Sequence, residues 1–326
     1  MGANTPRNRR WLHHDKLERT LARRAVTVCV ATLFRWNYGT LEQPQFGPAA
    51  LVASDRMITA GDIVEYEPRQ MKVAKITGRA LILIAGDFSL HSQALIDAGK
   101  QIGGNQNATA QNIALIYSRA IQTIKQRRAE DRYLAPLGLN LDTFLAQQKD
   151  MSDSFVNRLT DQLQDYVGEE VEALVVGSHD NEIHLYAIDP RGTVNCFDDV
   201  GFAAVGIGAW HAKSRLMQAG YTNSATFARA LAAIYAAKRN AEIAPGVGAT
   251  TDIHLVSRNG HHPLWANIST KIQEIYDKYI QRADALTNEA IAELQTFIES
   301  EKPNEENTGG HAQANERPSK NGPKTA

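Results

Sequence analysis

The sequence predicts an α+β protein, because its strands and helices come in separate blocks instead of alternating one by one. Short apolar, β-branched runs separated by turn residues occupy residues 26–86 and return over residues 173–205. Residues 89–128 and 224–239 instead carry apolar side chains at helical spacing. Blocks of this kind favour mainly antiparallel sheets over a parallel βαβ fold.

The first block begins with the apolar run VTVCVATLF and continues through AALVA and RALILIA. A loop is expected over residues 35–48 because glycine and proline recur there. The strands predicted in this block are 26–34, 49–53, 71–76 and 79–85.

Two helices follow, over residues 89–102 and 110–128, and Gly103–Gly104 separates them. Residues 130–150 are polar and contain Pro136 and Gly138, so they are expected to be an insertion, with a further helix at 152–166. The remaining predictions are strands 173–177, 182–188, 194–197 and 202–205, helix 224–239, strands 253–256 and 264–268 flanking Asn259–Gly260, and helix 270–299.

Composition limits the class of protein. The 326 residues are 43% hydrophobic and 22% charged with a formal net charge of −1, so no overall field favours nucleic acid or a membrane surface. The sequence has no run of 18 apolar residues, and Cys29 and Cys196 stand outside any metal-binding pattern. We therefore expect a cytoplasmic protein with no metal, no cofactor, no nucleic-acid partner and no membrane partner.

The two ends of the chain differ from its middle. Residues 1–26 are basic and lack the apolar stretch of a secretory signal, so they are either a flexible or helical leader or a propeptide. Residues 301–326 are polar and are expected to be disordered. Between them we expect one domain over residues 27–268, with the insertion at 130–150, and then a helix over 269–300.

Several segments, taken in order, resemble the proteasome β-subunit family of N-terminal-nucleophile hydrolases and its bacterial relatives. They are TVCVAT, ALVASD with RMITAGD, QMKVAKI, LILIAGDFSLHSQALID, GSHDNEIHLYAIDPRGTV, AAVGIGAWHAKSRL and GVGATTDIHLVSRNG. Gly86 follows Lys72 by 14 positions (86 − 72 = 14), the interval between the lysine and the oxyanion glycine of the family. The resemblance covers residues 25–256 and implies a four-layer αββα sandwich of two mainly antiparallel sheets.

The resemblance also implies a chemistry. Thr27 is the nucleophile once self-cleavage makes it the chain terminus, and its own α-amine is the base. Lys72 lies beside the Thr27 hydroxyl and is held charged by Asp55. The family's remaining roles fall on Gly86, whose N–H binds the oxyanion, and Thr59, whose strand pairs with an extended substrate.

Three positions depart from the pattern of active relatives. Val26 stands where those relatives carry glycine before the cleaved bond, and Ile207 replaces the serine of the Gly-x-Gly segment. Glu242 is the best substitute, by position alone, for the aspartate that supports that serine. The register also has an alternative, in which Ala25 occupies the nucleophile position and the protein is inactive.

Each of these residues has a purely structural explanation as well. Thr27 suits a strand, Asp55 and Gly86 suit strand ends, and Lys72 suits a solvent-facing position. Cys29 is a possible nucleophile by residue type, but its place inside an apolar strand is more typical of a core residue.

Three functions follow from these observations. The first is a self-processed threonine-type endopeptidase that acts on peptides or proteins within a homo-oligomeric ring. The sequence does not identify an ATPase partner for it. The second is a catalytically inactive ring subunit, and the third is an amidohydrolase of the same scaffold that acts on small amides. The apolar spacing of residues 272–280 predicts a packing seam, either with another subunit or with the domain itself.

Overall fold

The computed structural model describes residues 27–60, 64–66, 72–105, 107–166, 168 and 170–301. The predicted leader at 1–26 and the predicted disordered tail, apart from Glu301, lie outside the described residues. The described strands are β1 (Cys29–Asn37), β2 (Phe46–Asp55), β3 (Ile58–Ala60), β4 (Val64–Tyr66), β5 (Val73–Thr77), β6 (Ala80–Gly86), β7 (Val171–His179), β8 (Glu182–Ile188), β9 (Val194–Cys196), β10 (Phe202–Val205), β11 (Thr251–Ser257) and β12 (Gly260–Pro263). The described α-helices are α1 (Phe88–Ile102), α2 (Ala110–Tyr133), α3 (Leu141–Gln147), α4 (Asp153–Gln164), α5 (Ala209–Gln218), α6 (Phe227–Ala241) and α7 (Ala266–Glu301).

The strands form two five-stranded sheets, which confirms the predicted α+β class. The first sheet has the order β10-β1-β2-β11-β12 and the second has the order β5-β6-β7-β8-β9, while β3 and β4 form a separate pair. Every strand pair is antiparallel. Strands β7, β8 and β9 form the meander that the turns at 179–181 and 189–192 predict.

The two sheets share one apolar core. Cys29, Ala31 and Val52 of the first sheet pack in the same cluster as Leu83 and Leu174 of the second. The other faces of both sheets are covered by helices, so the central strands are buried on both sides. This double burial explains why their sequences are nearly continuous apolar runs instead of alternating patterns.

The helices lie on the outer faces of the sheets. On the second sheet, Ile82 and Ile84 pack in one cluster with Ile113, Tyr117 and Ile121 of α2. On the first sheet, α6 packs on β1 and β2, and α5 packs on β10. The described elements are therefore consistent with a sandwich in which two sheets lie between two layers of helices.

The predicted insertion has a small core of its own. Helix α2 continues to Tyr133, a short 3-10 turn follows, and α3 and α4 come next. Leu134, Phe144 and Leu159 pack together and are nearly inaccessible to solvent. The polar composition of residues 130–150 conceals these few buried side chains, which is why the sequence indicated only an insertion.

Helix α2 also holds the turn between β8 and β9. Ser118 Oγ donates to the carbonyl oxygen of Gly192 at 2.6 Å, and Gln122 Nε2 donates to that of Arg191 at 2.7 Å. Lys125 Nζ donates to the carbonyl oxygen of Pro190 at 2.8 Å. Three side chains of one helix face thus bind three consecutive main-chain carbonyls.

Two predicted elements are wrong. The expected loop over residues 35–48 is shorter, because β1 and β2 remain paired from Cys29↔Ser54 to Asn37↔Phe46. The strand expected at 264–268 lies earlier, at β12, where Gly260 pairs with Ser257 directly across the turn. Residues from Ala266 onward instead begin α7, so the apolar residues after the hairpin belong to a helix.

The chain divides into two compact units, Met1–Gln273 and Glu274–Ala326. The described part of the second unit is the remainder of α7. Of the helices in the described ranges, none combines the length and apolar character needed to cross a membrane.

Candidate active site

Asp55 is the centre of the best-connected buried polar cluster that we identify. It is the last residue of β2 and is fully buried. Its Oδ1 accepts from the Thr27 hydroxyl at 2.5 Å and from the Val28 N–H at 2.9 Å, and its Oδ2 accepts from the N–H groups of Met57 at 3.0 Å and Gly248 at 3.2 Å. These donors satisfy the buried carboxylate oxygens, which would otherwise cost free energy away from water.

Lys72 brings a positive charge to this carboxylate from the other sheet. It comes just before β5, and its carbonyl oxygen accepts from Ile84 N–H of β6 at 3.1 Å. Its Nζ lies 3.0 Å from Asp55 Oδ1 and 2.9 Å from Oδ2, and it also donates to Thr27 Oγ1. Lys72 is only 5% exposed, so the solvent-facing alternative for it is wrong.

Thr27, two residues before β1, completes the cluster. Its side chain bonds Asp55 and Lys72, and its carbonyl oxygen accepts from Gly208 N–H at 3.3 Å. Gly206 has φ +91°, and a Cβ there would lie 2.4 Å from the Thr27 carbonyl oxygen. The first position of the Gly-x-Gly segment must therefore be glycine, because the backbone of Thr27 occupies the space that a side chain at Gly206 would need.

Gly86 lies near this cluster but is not bonded to it. It ends β6 two residues after Ile84, the residue that pairs with Lys72, which places it about 7 Å further along the strand. Its φ is +116°, and a Cβ would lie 2.2 Å from the carbonyl oxygen of Glu170. Within the described residues, no hydrogen bond joins Gly86 to Thr27, Asp55 or Lys72, so its role as an oxyanion donor stays a prediction.

Thr59 is described only by its backbone. It lies in β3 and pairs with Glu65 of β4, in the small two-stranded sheet. Its predicted contact with substrate also stays a prediction.

Glu242 reaches Asp55 only through other residues. It follows α6 and accepts from Lys238 Nζ at 2.6 Å, and its other oxygen lies 3.2 Å from Arg239 NH1. Lys238 Nζ also donates to the carbonyl oxygens of Gly248 at 2.7 Å and Ala249 at 2.8 Å. Since Gly248 N–H donates to Asp55, Glu242 supports the loop behind Asp55 and does not contact Thr27.

Lys238 and Glu172 were not identified from the sequence. Lys238 is fully buried, and burial lowers its pKa from the ordinary lysine value. Its i,i+4 spacing to Glu242 was a usable signal. Glu172 of β7 accepts from the N–H of Gly206 at 2.7 Å, and burial raises its pKa. Nothing in the sequence distinguishes it from other strand carboxylates.

Cys29 is unsuited to be a nucleophile. It is fully buried, its Sγ lies 3.4 Å from the carbonyl oxygen of Ile84, and burial raises the pKa of its thiol far above the ordinary value. The thiolate is the reactive form, so this environment suppresses reactivity. Over the residues that the structure describes, His, Cys, Asp and Glu side chains nowhere form a group of three that could hold a metal ion.

Comparison with known proteins gives no family assignment. No model of a known protein family matches the chain, and no curated protein matches its sequence. The geometry around Thr27 is therefore the main indication of function.

Proposed function

We propose that this protein is a threonine-type N-terminal-nucleophile hydrolase of the proteasome-like αββα class, acting on peptides or proteins. One observation carries the proposal: Lys72 Nζ, buried between the sheets, donates to the Thr27 hydroxyl and to both oxygens of Asp55. A hydroxyl in contact with a buried ion pair has both a proton acceptor and a source of positive charge beside it.

Self-processing is the first step of the proposed reaction. Thr27 Oγ1 attacks the carbonyl carbon of Val26, and its proton moves to Asp55 Oδ1 and then to the Thr27 nitrogen as the peptide C–N bond breaks. The product is an ester of Val26 on Thr27 Oγ1 with a free α-amine. Water hydrolyses that ester, which releases the leader as a carboxylic acid and restores the hydroxyl.

The mature enzyme repeats the chemistry on a substrate. The Thr27 α-amine takes the Oγ1 proton while Oγ1 attacks the substrate carbonyl, and it returns that proton to the departing amine. The resulting acyl ester is hydrolysed by water, which the same α-amine activates. Lys72 stabilises the negative charge that develops on Oγ1, the N–H of Gly86 binds the oxyanion, and the strand of Thr59 aligns the substrate.

The geometry supports Thr27 over Ala25 as the nucleophile position, because the Thr27 side chain is the hydroxyl that contacts Lys72 and Asp55. Asp55 is held by four protein donors besides Lys72, so the pair is preorganised before any substrate binds. Assembly into a homo-oligomeric ring and a cytoplasmic location belong to the same proposal.

A second candidate is a catalytically inactive ring subunit. The observation that favours it is Ile207, which gives the Gly-x-Gly segment beside Thr27 no hydroxyl with which to hold a free α-amine. Hydrolysis of small amides is a third candidate, and it shares the chemistry of the first.

The test is the intact mass and N-terminal sequence of the purified full chain, followed by labelling with a peptide boronate. We expect a chain that begins at Thr27 and a label that is lost in Thr27→Ala, whose leader stays attached. Thr27→Ser is the matched control, since it keeps the hydroxyl and should still process.

The other outcomes separate the candidates. A folded wild-type chain that keeps its leader and takes no label would contradict the enzyme proposal and favour the inactive subunit. A processed, labelled chain that hydrolyses small amides but no member of a peptide library would assign it to small amides.

A further inference from the structure

The second unit presents a long apolar stripe on the surface of α7. Seven large side chains of residues 274–301 lie on one side of the helix, within an arc of about 160° at 3.6 residues per turn, and each leaves between 38% and 65% of its surface exposed. We call this set the α7 stripe: Ile275, Ile280, Leu286, Ile291, Leu294, Phe297 and Ile298. The opposite face carries Glu274, Gln281, Asn288 and Glu299.

The stripe is large enough for a stable interface. Half of an aromatic side chain is about 100 Å² and half of an Ile or Leu side chain is somewhat less, so the seven offer on the order of 600 Å². A standard protein–protein interface covers about 800 Å² on each partner, and ordinary monomers rarely expose a continuous apolar patch above a few hundred Å². A single helix from a second copy of this chain has the length and the apolar face to match it.

Charges along one edge of the stripe set the direction of that partner. Lys278 and Arg282 are four residues apart, and Glu289 and Glu293 are four residues apart further along the same edge; all four are exposed. Each pair places like charges on adjacent helical turns, which is unfavourable within one helix. An antiparallel partner would place the basic pair of each helix beside the acidic pair of the other.

The positions agree on one register. Pairing Lys278 with Glu293 and Arg282 with Glu289 puts the two-fold axis in both cases between Ala285 and Leu286. The same axis places Ile280 opposite Ile291, so the apolar and charged contacts coincide.

We propose that α7 pairs with α7 of a second copy of this chain, antiparallel, through the α7 stripe and about an axis near Leu286. The interface is isologous, because each copy contributes the same surface. The proposal does not depend on the chemistry at Thr27.

The first test changes the stripe in the full chain. We expect Leu286→Lys with Leu294→Lys to halve the molar mass of the assembly in sedimentation equilibrium and to weaken association by at least about 100-fold. Gln281→Lys with Asn288→Lys is the matched control, because it adds the same charge to the opposite face and should leave the mass unchanged. Circular dichroism melting of both variants checks that the fold is intact.

The second test addresses the direction of pairing. Glu289→Lys with Glu293→Lys should weaken association, and adding Lys278→Glu with Arg282→Glu should restore it, with both effects reduced in high salt. Stripe variants with the same molar mass as the wild type would overturn the proposed interface. Charge reversals that have no effect, or that are not restored by the second pair, would overturn the antiparallel register.

Discussion

Lys72 and Lys238 are both buried in the described part of the chain and both pair with a carboxylate, but their other partners differ. Lys72 donates to a carboxylate and to the hydroxyl of Thr27, whereas Lys238 donates to a carboxylate and to the main-chain carbonyls of Gly248 and Ala249. Both are nearly inaccessible to solvent. Burial and ion pairing therefore do not identify a catalytic lysine; the distinguishing feature is a contact with a group that can react.

The largest expected effect in this comparison is the loss of activity when Lys72 is replaced. Lys72→Met should reduce peptide hydrolysis by about 10³-fold, because it removes the positive charge beside Oγ1. Asp55 would keep four other donors, so the loss of stability should fall at the low end of the roughly 3–5 kcal/mol typical for a broken buried pair. Hydrolysis rates and urea unfolding of the same preparation measure both quantities.

Replacing Lys238 should instead reduce stability more than it reduces activity. Lys238→Met leaves two buried carbonyls without a donor and should lower the free energy of unfolding by about 3 kcal/mol. Hydrolysis by the folded fraction should fall by no more than about tenfold, since only the loop that carries Gly248 loosens. Glu242→Gln is the milder control, because its amide oxygen can still accept from Lys238.

The comparison fails if the two variants behave alike. A Lys238→Met protein of unchanged stability with no activity would place Lys238 in the reaction. A Lys72→Met protein that still hydrolyses peptides at the wild-type rate would remove Lys72 from it.

A smaller expected effect is the pH dependence of stability, which extends the comparison from buried lysines to two buried histidines. Burial lowers the pKa of His91 and of His254 to about 4, against 6.5 ordinarily. The unfolded chain therefore binds more protons between these values, so stability is complete above pH 6.5 and is lost as the pH falls toward 4. Each histidine should cost about 2 kcal/mol between pH 7.5 and pH 5.

Urea unfolding at the two pH values measures this loss. His254→Asn should flatten the dependence by one histidine's share, and a slope equal to that of the wild type would show that His254 does not carry it. His91 is a less clean target, because its ring bonds Tyr117 Oη and the carbonyl oxygen of Ala85.

The sequence predicted most of the fold because the central strands are buried on both faces and their runs are unmistakable. It failed at the ends of elements, where local residue types do not show how far a strand pair continues or where a helix begins. The pairing of Asn37 with Phe46 extends a hairpin through residues that look like a loop, and the helical start at Ala266 replaces an expected strand.

The site was also predicted only in part, because its supporting contacts join residues far apart in the sequence. Asp55 and Lys72 were identified by their place in a resemblance, and the structure brings both to Thr27. The supporting groups were not found, because Gly248 reaches Asp55 across 193 positions and Glu172 reaches Gly206 across 34. A backbone N–H donor is present in every residue except proline, so the residue type does not reveal which N–H groups bind the site.

The three hydrogen bonds from α2 to the turn between β8 and β9 determine which sequence changes this turn can accept. Helix α2 binds the main-chain carbonyls of Pro190 and Arg191 and not their side chains, so we expect these side chains to tolerate substitution. Gly192 is constrained by its φ of +83°, and Asp189 is constrained because it caps the N–H groups of Arg191 and Thr193. One inserted residue would take at least one carbonyl out of reach. The turn is therefore permissive to substitution and intolerant of insertion, which makes it a place to vary surface chemistry and a poor place to graft a tag.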